Sequence, residues 1–330
     1  MNTMTMQYTS LLLFVVAGML GIVGVAAPDT ALAQTYPART VRIIVGFEPG
    51  GSTDIIARAL GKPLAEIWGQ QVVIENRPGA VSQIGLLATA KAPPDGYTLG
   101  IAPASFSSNP TLYAGTIPYD AIADFVPITL INTTPLVLVT NADSQVRSIG
   151  ELIAAAKAAP GKLNYGTAGG PNQLAGELLN VMAGIRIQHI IYKGNAPTLT
   201  DLMGGRLDMV IVGTTAVMPL ITAGKLRPLA VTSRNRSSGL PQVPSVEETG
   251  LAGFESLAWN GLVAPAKTAR SIILKINADA IKAINTPEMQ QRLKADGSES
   301  GGNTPEQFAA FIREEMVKWV KIIRIAGIKP

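Results

Sequence analysis

Past residue 36 the chain alternates short apolar runs with amphipathic stretches, and polar or glycine-rich loops separate them. VRIIVGF (41–47) predicts a buried strand. The stretch after it has one apolar face (Ile55, Ile56, Ala59, Leu60, Leu64, Ile67, Trp68) and ends at Gly69, as a helix does. Ser52 or Thr53 suits its cap, with Asp54 in the first turn. Pro63 inside this face predicts a kink or a break. QVVIE (71–75) is the next strand, followed by the loop Asn76-Arg77-Pro78-Gly79-Ala80 and a helix from about Gln83. TLGIA (98–102) is the third strand, and the polar loop Pro103–Ser108 follows it.

The pattern changes at VPITLINTTPLVLVTN (126–141), a long extended stretch with no helical period, which suits a crossing between two lobes. Strand–loop–helix units then resume. Ser148-Ile149-Gly150-Glu151 fits a capping box. LNYG (163–166), IQHIIY (187–192) and LDMVIVG (207–213) each lead through a loop into a helix, and LRPLAVTS (226–233) follows as a strand. FESLAWNGLVAP (254–265) reads as the return crossing. Three helices finish the chain, two of them opening with Thr-Pro-Glu at Thr286 and Thr304. The expected fold is therefore α/β: lobe 1 from 34–136 plus 261–330, lobe 2 from 137–260, and two crossings acting as a hinge. In open α/β sheets, ligands lie beyond the carboxyl ends of the strands, so the loops of both lobes should face a shared cleft.

Residues 11–27, LLLFVVAGMLGIVGVAA, are uncharged and apolar, and Ala31-Leu32-Ala33 suits cleavage before Gln34. Residues 1–33 are thus expected to be a signal peptide, and the product a soluble periplasmic protein. The alternative is a membrane anchor, since about 17 apolar residues approach the minimum for a span. The Pro and Asp that break the run before Ala31 favour cleavage. The full chain has no cysteine, one histidine and a net charge of +4. Disulfides, thiol catalysis and lipid attachment through cysteine are excluded. A mild, scattered positive charge with few aromatics argues against nucleic acid. Lys318, Lys321, Arg324 and Lys329 sit at helical spacing and read as a solvated face.

Gly50-Gly51, Gly79-Ala80 and Gly169-Gly170-Pro171-Asn172 each stand between a strand and a helix. There, unpaired N–H groups and the helix dipole favour an anion. The P-loop pattern is absent, and so is G-x-G-x-x-G, although Glu75 stands where a ribose-binding acid would. His189 lies within a strand and reads as structural. No G-x-S-x-G elbow exists, and one histidine without cysteine offers no zinc site. Asp54 reads as a cap, and Asp201 and Asp208 as surface or helix-start acids. No catalytic constellation, metal site or cofactor is expected.

Taken together, the motifs resemble the Bug solute receptors of tripartite tricarboxylate transporters. The resemblance runs through Phe47-Glu48-Pro49-Gly50-Gly51-Ser52-Thr53-Asp54, Val73 to Ala80, Pro94-Asp95-Gly96-Tyr97, Tyr192-Lys193-Gly194, Gly224-Lys225-Leu226-Arg227 and Gly261 to Pro265. It implies a type II periplasmic-binding-protein fold, a small carboxylate ligand (di- or tricarboxylate, aromatic acid or amino acid), integral membrane permease subunits as partners, and a monomer. The first-lobe ligand contacts it implies are Phe47, Gly50, Gly51, Ser52, Asp54, Ala80, Gln83, Ser105 and Ser107. The second lobe would contribute Thr167, Gly169, Asn172, Gln173 and Thr214. Two departures matter. Val81-Ser82-Gln83 stands where the family has Gly-Gly-Asn or Gly-Gly-Thr, and Glu48 puts a negative charge beside an anion site. Besides transport, a receptor that presents its ligand to a sensor kinase fits the same features, as does an exported enzyme on the same scaffold.

Overall fold

The computed structural model describes residues 36–167 and 169–328. The expected signal peptide, Ala168 and Lys329 lie outside them. The chain divides into a unit of residues 1–38, of which 36–38 are described and form no helix or strand, and a unit of residues 39–330 that carries every described element.

The first strands and helices follow the predicted order, except that Ser105 to Ser108, expected to belong to a polar loop, open a helix. They are β1 (Val41–Val45), α1 (Ser52–Trp68), β2 (Val72–Asn76), α2 (Gln83–Ala90), β3 (Thr98–Pro103) and α3 (Ser105–Leu112). The long strand β4 (Phe125–Asn141) comes next. After it run α4 (Ile149–Ala158), β5 (Asn164–Thr167), α5 (Pro171–Ala183), β6 (Gln188–Ile191), α6 (Asn195–Met203), β7 (Met209–Gly213), α7 (Thr214–Thr222) and β8 (Leu226–Val231). The chain ends with β9 (Leu257–Pro265), α8 (Arg270–Ile284), α9 (Pro287–Ala295), β10 (Glu299–Ser300) and α10 (Pro305–Ala326).

Among the described residues the strands run in the order β2-β1-β3-β9-β4-β7-β5-β6, with β8 and β10 also paired to β4. β4 is the element common to both halves. Over Phe125–Pro135 it pairs antiparallel with β9, and over Leu136–Asn141 with β7 and β8. Its partners therefore change between Pro135 and Leu136. β9 lies between β3 and β4, so the returning segment enters the middle of the first half.

Each half has its own apolar core. Phe106, Tyr119, Phe125, Trp259 and Phe308 fill the first, and Leu138, Tyr165, Leu178, Met209 and Ile211 fill the second. α10 belongs to both, because Phe308 and Ile312 pack in the first core while Trp319, Ile322 and Ile323 pack in the second.

Several local expectations meet the structure directly. Thr286 and Thr304 cap α9 and α10, and Thr304 forms a complete capping box with Gln307. Ser148 caps α4 as predicted, but the Glu151 carboxylate accepts from the N–H of Arg147, one residue earlier than the standard box. Two expectations need correction. α1 runs unbroken through Pro63, which is buried. The cap of α1 is Gly51 in an extended conformation, without a side-chain bond; Ser52 and Thr53 are already inside the helix. Asp54, also expected as a cap, bonds no backbone N–H of the helix and reaches back instead to Gly50 N–H in the preceding loop. Of the basic face expected near the C-terminus, Lys321 and Arg324 are exposed, while Lys318 pairs with the buried Glu315 and lies over the Trp319 ring.

Candidate functional site

A cavity of about 900 Å³ lies between the two halves of the sheet. Its wall from the first half includes Phe47, Glu48, Gly51, Ser52 and Ser105, and its wall from the second includes Gly169, Gly170, Asn172, Gly213 and Thr215. Among the helices that start at this space are α1 after Gly51, α5 after Gly170 and α7 after Gly213. The first helical bonds are Ile55 N–H to Gly51 O in α1 and Leu174 N–H to Gly170 O in α5. The N–H groups of Ser52 and Thr53, and of Asn172, precede them. Such groups, with the dipoles behind them, give the cavity a positive partial charge from both sides.

The loop ahead of α1 is held from behind. The Asp54 carboxylate accepts from Gly50 N–H at 2.9 Å, Asn76 Nδ2 at 2.8 Å and Arg58 Nε at 2.9 Å. Asn76 Nδ2 also donates to Phe47 O at 3.0 Å. The Arg58 bond, aided by Gly50 and Asn76 and opposed by burial, holds the Asp54 carboxyl down at about 2. Asp54 is thus a permanently charged brace that shapes the Phe47–Gly51 loop, and it does not line the cavity. Gly50 needs its φ of +85° for that turn, whereas Gly51, at φ −73°, has an ordinary backbone and only Glu48 O near where a Cβ would sit.

The loop ahead of α2 is the most strained part of the wall. Ala80, Val81 and Ser82 have φ of 46°, 52° and 69°, three left-handed residues in a row and none of them glycine. For Val81, β-branched, this conformation is a true outlier. Packing enforces it. A Cβ on Gly46 would lie 2.6 Å from Ser82 Cβ, and one on Gly85 would lie 2.7 Å from Gly46 Cα. Asn109 Nδ2 also holds Val81 O at 3.0 Å. Val81 consequently lines the cavity, with Gln83 buried behind it and Ala80 exposed outside it.

Of the residues expected from sequence, the cavity brings together Phe47, Gly51, Ser52, Ser105, Gly169 and Asn172. Gly50, Asp54, Ala80, Gln83, Ser107, Thr167 and Thr214 do not line it, Gly50 and Ala80 being exposed and the other five buried. Ser107 Oγ donates to Ala104 O at 2.8 Å. Thr167 Oγ1 lies 2.8 Å from His189 Nε2 and accepts from Gly169 N–H at 2.9 Å, so that His189 supports the loop. Burial lowers the His189 pKa. Gln173 faces a second, smaller chamber of about 250 Å³.

Sequence reasoning missed one part of the site. Asn132 and Thr134 of β4, Asn260 of β9 and Ser298 line the cavity and bond to one another. Thr134 Oγ1 lies 2.7 Å from Ser298 Oγ, and Asn260 Nδ2 donates to Asn132 Oδ1 at 3.1 Å. Beside them Arg292 grips Asp296 with two bonds, at 3.0 and 2.9 Å, so this cation arrives already neutralised. The signal was present: an Asn interrupts the apolar run in each crossing segment.

The family model described as the tripartite tricarboxylate transporter family receptor matches residues 56–328. The chain belongs to that family. Protein BugT of Bordetella pertussis (strain Tohama I) is 38% identical over 325 residues, covering 96% of this chain and 98% of its own length. Among solved structures, R. palustris Rpa4515 with adipate is 35% identical at a TM-score of 0.76, covering 89% of this chain and 99% of that one. MatC (Rpa3494) from Rhodopseudomonas palustris with bound malate is 27% identical at 0.73, covering 87% and 100%. The Bug resemblance is borne out, and with it the type II periplasmic-binding-protein fold, two α/β lobes joined by two segments around a cleft. This family member is a solute-binding receptor.

Proposed function

We propose that this receptor works in the periplasm, captures a small carboxylate in the 900 Å³ cleft and delivers it, unchanged, to the membrane permease subunits of its transporter. The observation that carries the reading is the convergence of α1, α5 and α7 on one cavity from both lobes. Helix starts donate to an anion without a counter-charge of their own. This suits a site whose Arg292 is already paired with Asp296. The family supports it too, since Rpa4515 was solved with adipate and MatC with malate. Lobe 1 would comprise 34–136 plus 261–330 and lobe 2 137–260, closing over the ligand. Gly51 and Ser52 would grip the carboxylate, and Gly169 and Asn172 would face its other end.

Thermal melting of residues 34–330 with adipate, malate, citrate, aromatic acids and acidic amino acids tests this. A ligand at 100 times its Kd adds about 2.7 kcal/mol, a rise of several degrees. Gly51→Val should fold normally, because its φ suits any residue and the space beside it is open, yet lose that rise. No rise for the parent with any acid, or a full rise for the variant, would overturn the assignment.

A further inference from the structure

The smaller chamber of about 250 Å³ adjoins the larger cleft, and the wall they share is the neck between them. Val81, Ala104, Ser105, Gly169, Gly170 and Pro171 line both spaces, so the first three (lobe 1) and the last three (lobe 2) face each other there. The two spaces differ in chemistry. Glu48, Arg292 and Asp296 line the larger one, whereas no described lining residue of the smaller carries a formal charge. Leu112, Leu174, Ile191, Leu257, Trp319 and Ile328 line it beside the uncharged polar side chains of Ser108, Asn109 and Gln173.

We propose that this chamber is a second ligand subsite, which takes the apolar end, aryl or alkyl, of a carboxylic acid whose charged end lies in the larger cleft. The proposal rests on the carboxylate reading above. Three observations carry it. The chamber and the cleft share six lining residues. Ile191, a large apolar side chain of the edge strand β6 that lines this chamber, is 70% exposed. An apolar ligand end would remove that surface from water. Finally, the neck is faced by Val81, a β-branched residue held in a left-handed conformation that strongly favours glycine. Strain of this kind persists where its surroundings over-determine it, typically at ligand clamps. Here it sets an apolar side chain where the charged and uncharged chambers meet. The favoured ligands are amphiphilic monocarboxylates, with a chain long enough to pass the neck.

Calorimetric titration of residues 34–330 with phenylpropanoate to phenylhexanoate, each paired with the alkanoate lacking the ring, tests the proposal. At one spacer length the ring should tighten binding about tenfold or more, as burial of an apolar group of that size predicts. Ile191→Ser, exposed and therefore harmless to folding, should reduce that ratio several-fold. Crystals soaked with the bromophenyl analogue should show anomalous bromine density against Leu257 and Ile191. A ratio near one at every spacer length, or bromine in the larger cleft, overturns the proposal. If no carboxylate binds, adipate included, the carboxylate reading fails on its own. The bromophenyl amide then decides the chamber: bromine there supports the subsite, and its absence ends it.

Discussion

Asp54 illustrates how one residue can shape a site without touching its contents. Its carboxylate gathers Gly50, Asn76 and Arg58 and is almost fully buried. The sign of its pH effect follows from the pKa. The folded value is about 2, below the ordinary 3.8, so the stabilisation is fully present above about pH 4 and is lost as pH falls toward 2. Asp54→Asn should cost about 2 kcal/mol at neutral pH, and urea titrations of the two proteins should converge near pH 2. Equal differences at both pH values would mean that the charge is not what matters. The sequence made Asp54 a helix-start acid, which it is. That it pairs backward, with Gly50 and Asn76, needed the close approach of β2 to the end of β1. Val81 was legible as a departure from a glycine-rich loop. Its left-handed φ was not, because that depends on Gly46 and Gly85 leaving no other path.

At the scale of elements, sequence and structure agree best where local chemistry decides. The strands from β1 to β9 lie within a few residues of their apolar runs, and Thr286 and Thr304 start their helices as their Thr-Pro-Glu signals require. Thr304→Ala removes the side-chain half of a capping box on the helix that serves both cores, leaving the Thr304 N–H bond to Gln307, and should lower stability by about 1 kcal/mol, read as a fall in the denaturant midpoint at constant slope. The disagreements lie where a longer-range arrangement overrides the local rule. Pro63 predicts a break, but a buried apolar face on both sides of it keeps α1 whole. The crossings were readable as extended strands, yet Asn132, Thr134 and Asn260 were not readable as a polar floor. They meet only because β4 and β9 pair, with Ser298 arriving 166 residues after Asn132.

For the whole molecule, the two lobes touch across the rim of the cleft. Thr215 Oγ1 at the start of α7 donates to Asp296 O at 2.8 Å, and the neighbouring Thr214 packs against Gly297. Thr215→Val removes one inter-lobe bond, of about 1 kcal/mol, and should move the ligand-free protein several-fold toward the open form. Small-angle scattering should show a larger radius of gyration without ligand and an unchanged one with it; an unchanged radius in both states would make the contact incidental. The sheet order has a further consequence, for folding. β9, which fills the gap between β3 and β4, and α10, which closes both cores, follow the whole second half of the sheet in the sequence. Until they dock, β3 and β4 lack their shared neighbour and neither core is complete. Folding of this topology must therefore wait for pairings between residues far apart in the sequence, a feature that slows it.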